Sequence, residues 1–266
     1  MVFTFNKYHS AVGLTMANAV TSKLHTANAN INLFFTAKQN AKLLAQRNAE
    51  MQNTKATNYL VIDTTTHEIA DYIVLDTLGN TKKILQYIHR PATVIYNTTN
   101  NDLKNYMVIS RGTNNGIRKD MAVVGAESNA VIGKVMYADA NTACIMTLLH
   151  NQSSVPAKLM RSGDNGTVYW QGKSNTELTL KKIPKTATLK IGDTVVTSLG
   201  SDIFPENLII GTITSYTEDK TNGNFIITLK PKANFNNVNY VNVIENMQQA
   251  NVRSVVQTAQ KQLLNN

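Results

Sequence analysis

The sequence predicts a mainly β protein that begins with a long α-helix, which pairs with a second copy and carries small β domains. Three observations predict this fold class. Residues 11–51 contain no proline and carry an apolar repeat with spacings of four and three. After Leu78-Gly79-Asn80 the sequence changes to short apolar runs separated by turn residues. Two of these runs resemble each other, as duplicated β units would.

The helix is expected over residues 11–57. Ala and Leu are common in it, and its only glycine before residue 51 is Gly13, a composition that favours helix. The apolar residues recur at the a and d positions of a heptad, which keeps one seam of a helix facing a partner helix. The seam residues predicted to mediate dimerisation are Val20, Leu24, Ala27, Ile31, Phe34, Ala41 and Ala45.

The length of this helix favours association over packing on the chain's own core. A helix of more than forty residues would be about 60 Å long, further than one small β domain could cover. Two seam positions are polar, Lys38 and Asn48, which lowers stability but can select the register and the number of helices. The seam is therefore strongest in its first half.

Residues 58–83 are expected to form a linker. β-Branched residues dominate from Asn58 to Val74, so local preference does not distinguish a continuing helix from a strand there. The tail, residues 247–266, has apolar side chains at spacings near three and four, which fits either a short amphipathic helix or a frayed end.

Short apolar runs fill the chain between residues 93 and 244, with Gly, Asn and Asp between them. Such a pattern predicts an all-β sandwich or barrel. The run Lys119–Val124 resembles the run Gly192–Thr197, and each is followed by an Ile-Gly step, at Gly133 and at Gly211. Glycine inside a strand allows a bulge or the close approach of a neighbouring strand, as the closure of a small barrel requires.

Charge and composition limit the classes of partner. The net charge of +9 predicts attraction to polyanions or to anionic surfaces. The 26 Lys and Arg residues are scattered singly or in pairs, however, so no run follows a phosphate backbone and nucleic acid is not expected as a partner.

Cys144 lies in an apolar run and is expected to be a small core residue. The sequence has no stretch of about 18 apolar residues, so no membrane span is expected.

The sequence does not predict catalytic chemistry. The five histidines have no zinc-ligand spacing and no phosphate-binding glycine loop is present, so neither a metal nor a cofactor is expected. His150, beside Asn151, is expected to be a solvated loop residue. A trypsin-like serine hydrolase would need His, Asp and a serine in a glycine-framed turn. The nearest candidate is the stretch from Ser198 to Ser201, which lacks the glycine before the serine and a convincing histidine partner.

Motifs run through the β region in a specific order. They are Asn105 to Ile109, Gly116 to Val124, Val131 to Val135, Val155-Pro156-Ala157, Arg161-Ser162-Gly163, Gly166 to Gly172, Ile183-Pro184, Gly192 to Ser198, Phe204-Pro205, Ile210-Gly211 and Tyr240 to Ile244. In order and spacing, from about residue 84 to 246, the chain resembles the MreC family of rod shape-determining proteins in its Bacteroidetes-like form. The motif residues expected to be structural are Gly116, Asp120, Gly133, Trp170, Gly192, Asp193, Phe204, Pro205 and Gly211.

The resemblance implies a coiled coil followed by two small six-stranded β-barrel domains of the trypsin-like type. It also implies that C-terminal strands return to complete the first domain, because residues 85–118 offer too few strands to close a barrel. We therefore expect a first barrel from residues 84–118 and 212–246, and a second from residues 119–211. At Asn207 the family usually has glycine, and asparagine tolerates a left-handed backbone.

The resemblance further implies a non-enzymatic scaffold of the cell-wall elongation machinery that maintains cell shape without a cofactor. Such proteins are anchored in the inner membrane by one helix, which is absent from this chain and expected upstream of it, and they lie on its periplasmic face. The implied partners are a second copy, sometimes extended into filaments, the penicillin-binding transpeptidase, MreD, RodA and MreB. The alternatives left open are a trypsin-like serine hydrolase and a basic protein that binds anionic surfaces.

Overall fold

The computed structural model describes residues 36–55, 58–63, 74–78, 81–99 and 103–264, and the structural statements below concern these residues. In this part of the chain a helix precedes a series of antiparallel strands and a second helix follows them. The fold class expected from the sequence is confirmed, since the strands form two closed six-stranded barrels.

The first helix, α1, covers residues 36–54. Ala45 and Ala49, one turn apart, are only 3% and 2% exposed, and the Asn48 side chain between them donates a hydrogen bond to the carbonyl oxygen of Ala126 at 3.0 Å. Residues three and four apart share one face of a helix. The last turns of α1 therefore turn this face towards the chain's own β structure.

Where a linker or a continuing helix was expected, the described residues form three strands of a small antiparallel sheet. Its strands are β1 (Tyr59–Asp63), β2 (Val74–Leu78) and β3 (Thr81–Leu85), in the order β1-β3-β2. β-Branched residues suit a pleated surface better than a helix, but only a pairing partner distant in sequence decides between the two. Sequence periodicity does not reveal that partner.

The first barrel closes in the order β15-β4-β5-β8-β7-β6. Its strands are β4 (Tyr87–Asn97), β5 (Lys104–Ile109), β6 (Ala122–Gly125), β7 (Val131–Ala138), β8 (Ala143–His150) and β15 (Tyr240–Asn246). Five of these strands are consecutive in the chain, and β15 returns from the C-terminal end to pair with both β4 and β6. A single returning strand is therefore enough to close this barrel.

The second barrel closes in the order β10-β11-β14-β13-β12-β9 and uses one continuous stretch of chain. Its strands are β9 (Ser154–Leu159), β10 (Asn165–Tyr169), β11 (Leu178–Pro184), β12 (Thr194–Thr197), β13 (Ile209–Glu218) and β14 (Asn224–Pro231). An isolated parallel bridge joins Ala130 to Ile209 of β13, so the two barrels touch directly. The second helix, α2 (Gln249–Leu264), follows β15.

The division of strands between the barrels differs from the expected one. We expected residues 119–211 to form the second barrel, but β6, β7 and β8 belong to the first. We also expected residues 212–239 in the first barrel, but β13 and β14 complete the second. The physical reason is that the pairs between non-consecutive strands, β5–β8, β9–β12 and β11–β14, also stay within one continuous stretch of chain. Only β15 returns to the first barrel from beyond the second.

Two hairpins, β6–β7 and β12–β13, share one geometry. Gly133 and Gly211 each lie opposite a valine, immediately beside a shift in strand register. A side chain would not fit at either position, because a Cβ would be 2.0 Å from the carbonyl oxygen of Met146 at Gly133 and 2.3 Å from that of Lys230 at Gly211. The predicted bulge and close strand approach are confirmed at both glycines.

A candidate partner-binding face on the first barrel

The outer face of the first barrel carries a row of aromatic and apolar side chains across four strands. The register pairs Tyr96 of β4 with Val108 of β5, and Val108 with Cys144 of β8. Cys144 in turn pairs with Tyr137 of β7. Residues directly opposite each other on neighbouring strands point to the same face of a sheet. Tyr96 and Tyr137 are 59% and 62% exposed, so this face is open to solvent.

A second row lies beside the first, because residues two apart in a strand share a face. Tyr106 of β5 pairs with Met146 of β8, each two residues from a member of the first row. The strand residues between them, such as Met107 and Ile145, point inwards and are completely buried. We call the outward set the tyrosine face, and its members are Tyr96, Tyr106, Val108, Tyr137, Cys144 and Met146.

His150 fixes the position of Tyr106. The Gln152 backbone N–H donates to His150 Nδ1 at 3.0 Å, so the ring proton lies on Nε2 and Nε2–H donates to the Tyr106 hydroxyl oxygen at 2.9 Å. Burial, and then the nearby charge of Lys104, lowers the pKa of His150, which favours this neutral tautomer. The expectation of a solvated loop residue is wrong: β8 extends to His150, which is 1% exposed.

Cys144 belongs to the outer face and is half-buried. It was expected in the core, but the alternation of β8 places its neighbours Ala143 and Ile145 inside instead. Burial raises the pKa of the Cys144 thiol, so the thiol is neutral at neutral pH. A neutral thiol fits the apolar character of this face.

The open edge of β4 is closed by two asparagine side chains. Asn53, in the last turn of α1, accepts a hydrogen bond from the His89 N–H at 2.7 Å and donates to the His89 carbonyl oxygen at 3.1 Å. Asn58 makes the same pair of bonds with the backbone of Tyr87, at 3.0 and 2.8 Å. These amides take the place of a neighbouring strand. An incoming partner strand is therefore blocked here, whereas the tyrosine face remains open.

The motif residues of the first barrel organise charged side chains. Gly116 has φ +74°, and a Cβ there would lie 3.0 Å from the Arg90 guanidinium, so glycine leaves room for this side chain. Arg90 in turn contacts Glu245 at 2.6 Å. Asp120 has φ +63° and pairs with Lys134 at 3.1 Å.

The motif residues of the second barrel also stabilise turns and loops. Asp193 follows Gly192, which has φ +90°, and its carboxylate pairs with Arg161 at 2.7 Å. The buried Trp170 donates its indole N–H to the Ser174 carbonyl oxygen at 2.7 Å. Phe204 is buried, and the Pro205 carbonyl oxygen accepts a hydrogen bond from the Thr197 hydroxyl. Asn207 has φ +66°, which confirms the left-handed backbone expected for it.

The residues of the predicted dimer seam are only partly covered by the structure. Val20, Leu24, Ala27, Ile31 and Phe34 lie outside the described residues. Ala41 is half-buried and Ala45 is buried within a single chain. Dimerisation by the seam stays a prediction that rests on the sequence.

Of the two candidate serines, Ser198 is buried. The Ser201 hydroxyl oxygen accepts hydrogen bonds from the backbone N–H groups of Ile203 and Phe204, at 3.2 and 2.9 Å. The part of the chain that the structure describes shows no hydrogen bond from a histidine to either serine, nor a cluster of three His, Cys, Asp or Glu side chains able to hold a metal. None of its helices has the length and hydropathy needed to cross a membrane.

The tyrosine face is not evident from the sequence alone. The alternation within each run was available from the sequence, but alignment of Tyr96 with Tyr137 depends on the register of three strand pairs. Two of these pairs contain register shifts next to the row, and a shift of one residue moves a side chain to the opposite face. Sequence alternation alone could therefore not place the two tyrosines together.

A family model matches this region of the chain. Residues 94–245 match the model described as rod shape-determining protein MreC, barrel core, which is more than half of the 266-residue chain. Two curated relatives, the cell shape-determining protein MreC of Geobacillus stearothermophilus and that of Bacillus subtilis, are each 30% identical over 178 residues. In each case the match covers 64% of this chain and 61% of the relative, so the chain spans about three fifths of their length.

Solved structures have the same fold. MreC from Listeria monocytogenes is 30% identical, with a TM-score of 0.55, over 60% of this chain and 77% of that one. MreC from Pseudomonas aeruginosa has a TM-score of 0.53 at 24% identity, over 58% of this chain and 97% of that one. The tyrosine face lies within the matched residues 94–245.

Proposed function

Because the chain belongs to the MreC family of cell shape-determining proteins, we propose that it is a non-catalytic scaffold of the cell-wall elongation machinery that binds the elongation transpeptidase through its tyrosine face. The observation that carries this proposal is the apolar and aromatic row from Tyr96 to Tyr137 on a closed barrel, with both tyrosines open to solvent.

The chemistry of the tyrosine face suits protein binding. Contiguous apolar patches on soluble domains commonly mark interaction sites, because their exposure to water is unfavourable. Tyrosine is enriched among the residues that dominate binding energy, since it combines a large apolar ring with a hydroxyl group and few rotatable bonds. The His150–Tyr106 hydrogen bond holds one ring in place before a partner arrives, which reduces the entropy cost of binding.

The proposal includes the wider assembly implied by the resemblance. Two copies pair along the seam that contains Leu24 and Phe34, and each presents one tyrosine face. The scaffold lies on the periplasmic face of the inner membrane, anchored by a helix upstream of this chain, and works with MreD, RodA and MreB. Pairing would double the number of transpeptidase sites on one scaffold, which increases avidity where two partners are linked.

A binding measurement tests the tyrosine face. The Tyr96→Ala, Tyr137→Ala double variant should bind the purified periplasmic part of the elongation transpeptidase from the same organism at least about tenfold more weakly, because two central aromatic contacts are lost. Biolayer interferometry with the transpeptidase immobilised measures the affinity, and circular dichroism checks that the barrels remain folded.

A tyrosine on the other barrel provides the matched control. Tyr216 is 41% exposed on β13 of the second barrel, so Tyr216→Ala removes a similar side chain from another surface and should leave the affinity unchanged. Equal affinity of the double variant and the parent would exclude the tyrosine face as the docking site. Stoichiometric labelling of Ser198 or Ser201 by a fluorophosphonate probe would instead favour a serine hydrolase.

A further inference from the structure

The C-terminal helix α2 contacts both barrels through its first turns. It begins at Gln249, beyond residues 94–245 that match the family model, so the family resemblance assigns it no function. The Gln249 side chain donates to the Asp120 carbonyl oxygen, before β6 of the first barrel, at 3.1 Å. Three residues before the helix, at the end of β15, the Asn246 side chain donates to the carbonyl oxygen of Asp202, between β12 and β13 of the second barrel, at 3.1 Å.

Arg253 joins these two points with its guanidinium group. Its Nη1 lies 3.2 Å from Asp120 Oδ2 of the first barrel, and its Nε donates to Asp202 Oδ2 of the second. Asp120 also pairs with Lys134 of β7 at 3.1 Å. One arginine side chain therefore bridges carboxylates that are 82 residues apart and belong to different barrels.

We propose that α2 is a clasp that fixes the orientation of the two barrels relative to each other, and that Arg253 closes it. The fork of a guanidinium group carries several N–H donors in one plane, so a single side chain can hold two carboxylates in fixed geometry. The clasp consists of Arg253, Gln249, Asp120 and Asp202.

The clasp adds to other connections between the barrels. Two chain segments, residues 151–153 and 232–239, cross between them, the Ala130–Ile209 bridge joins them directly, and buried apolar side chains of both barrels belong to one cluster. Beside these contacts lies a cleft of about 310 Å³ that is lined by residues of both barrels, including Lys134, Pro156 and Asp202. Asp202 of the clasp and Lys134, which pairs with Asp120, both line this cleft. The clasp therefore borders a space that would open or close if the barrels moved relative to each other.

The clasp is electrostatic and partly accessible to ions. The side chains of Arg253 and Asp202 are 36% and 31% exposed. Burial would raise the pKa of Asp120, but hydrogen bonds and charge from Lys134 and Arg253 outweigh it and hold the pKa below its usual range, so Asp120 is ionised at neutral pH. Salt at about 1 M shortens the screening length to about 3 Å, and it should therefore weaken the clasp.

Distances between spin labels on the two barrels test the clasp. Labels are placed at Ala140→Cys, in the exposed β7–β8 turn, and at Thr221→Cys, in the exposed β13–β14 turn, of the full chain with Cys144→Ser. The labelled chain is mixed with an excess of unlabelled chain, so that distances between paired copies do not contribute. Pulsed electron paramagnetic resonance should then give one narrow distance distribution in this parent. Arg253→Gln should broaden or shift it, because the bridge between Asp120 and Asp202 is lost.

The controls separate the clasp from general effects on α2. Lys261→Gln removes a positive charge from an exposed position near the end of the same helix and should leave the distribution unchanged. Asp202→Asn should broaden the distribution, and combining it with Arg253→Gln should add nothing, since both variants break one link.

Two outcomes would overturn the proposal. One is an unchanged distribution in a folded Arg253→Gln variant, and the other is equal broadening by Lys261→Gln. If Arg253→Gln does not fold, the parent is measured between about 0.1 and 1 M salt, where the distribution should broaden as the screening length falls from about 10 to 3 Å. A distribution that does not respond to salt would then contradict the clasp.

Discussion

At the scale of single residues, a glycine and two arginines determine how the charge of Glu245 is held at the end of β15. Gly116 leaves space for Arg90, and Arg90 contacts Glu245 on β15 at 2.6 Å. Arg118 contacts the other oxygen of the same carboxylate at 2.5 Å. Because Glu245 is nearly buried between two arginines, its charge is compensated where the returning strand ends. Gly116 and the two ion pairs therefore act together on Glu245 at the end of β15.

Gly133 provides a test at this scale. Gly133→Ala should lower the free energy of unfolding by about 3 kcal/mol or more, because the new Cβ would meet a backbone oxygen that cannot move without breaking strand pairing. Gly200→Ala is the matched control, since its Cβ would be 3.5 Å from the nearest atom, and it should change stability by about 0.5 kcal/mol or less. Urea unfolding followed by circular dichroism measures both, and equal losses would contradict the close strand approach.

His89 predicts a pH dependence. Burial, and then the charge of Lys55, lowers the pKa of His89 from 6.5 to about 4, and its Nδ1 is buried without a hydrogen-bond partner among the described residues. The unfolded chain binds this proton more readily. The contribution of neutral His89 to the free energy of unfolding is therefore fully present above pH 6.5. It is lost as the pH falls through 4, and the loss is about 3 kcal/mol at most.

The His89→Gln variant isolates this titration from those of the carboxylates. The free energy of unfolding, measured in urea between pH 7 and pH 4, should fall less steeply in the variant than in the parent. Carboxyl groups such as Asp120 titrate in both proteins and cancel in the comparison. Parallel pH profiles would show that His89 does not titrate differently in the folded and unfolded states.

At the scale of elements, the end of α1 completes a strand edge. Asn53 and Asn58 each satisfy one N–H and one carbonyl of β4, at alternate residues that face the same edge. Unpaired edges invite association with other chains, so proteins commonly cover them. The contact also ties α1 to the first barrel by hydrogen bonds to backbone atoms, which do not depend on the neighbouring side chains.

Hydrogen exchange tests this edge residue by residue. Asn53→Ala should speed exchange of the His89 amide, and Asn58→Ala that of the Tyr87 amide, because each amide loses its only described acceptor, at a cost of about 1–3 kcal/mol. Thr54→Ala should affect neither amide, since the Thr54 hydroxyl bonds only to carbonyls of its own helix. Unchanged protection in both asparagine variants would refute the edge contact.

At the scale of the whole molecule, the seam predicts that the proposed scaffold pairs with a second copy. The Leu24→Asp, Phe34→Asp double variant should be monomeric, because burial of each apolar side chain contributes roughly 1.5–3 kcal/mol to the pair of helices and a charge in the seam adds a desolvation cost. Sedimentation velocity measures the state of assembly. Lys38→Ala, also at the seam, should keep the dimer, and a double variant that still dimerised would show that the seam is elsewhere.

The sequence by itself determined the fold class and the resemblance to a family of cell shape-determining proteins. Heptad spacing predicted a helix at the start, and turn residues between short apolar runs predicted β domains. Glycines after two similar runs predicted the close strand approaches at Gly133 and Gly211. These features are local, because they depend on side-chain periodicity and on backbone conformations that few residue types adopt.

Only the tertiary structure decided which strands share a barrel, where the tyrosine face lies and what the tail contacts. β6, β7 and β8 joined the first barrel, β1, β2 and β3 formed a separate sheet, and Arg253 reached carboxylates on both barrels. Each of these depends on pairing between residues distant in the chain. The energy of such pairing comes from the partner and from the register, neither of which local periodicity encodes.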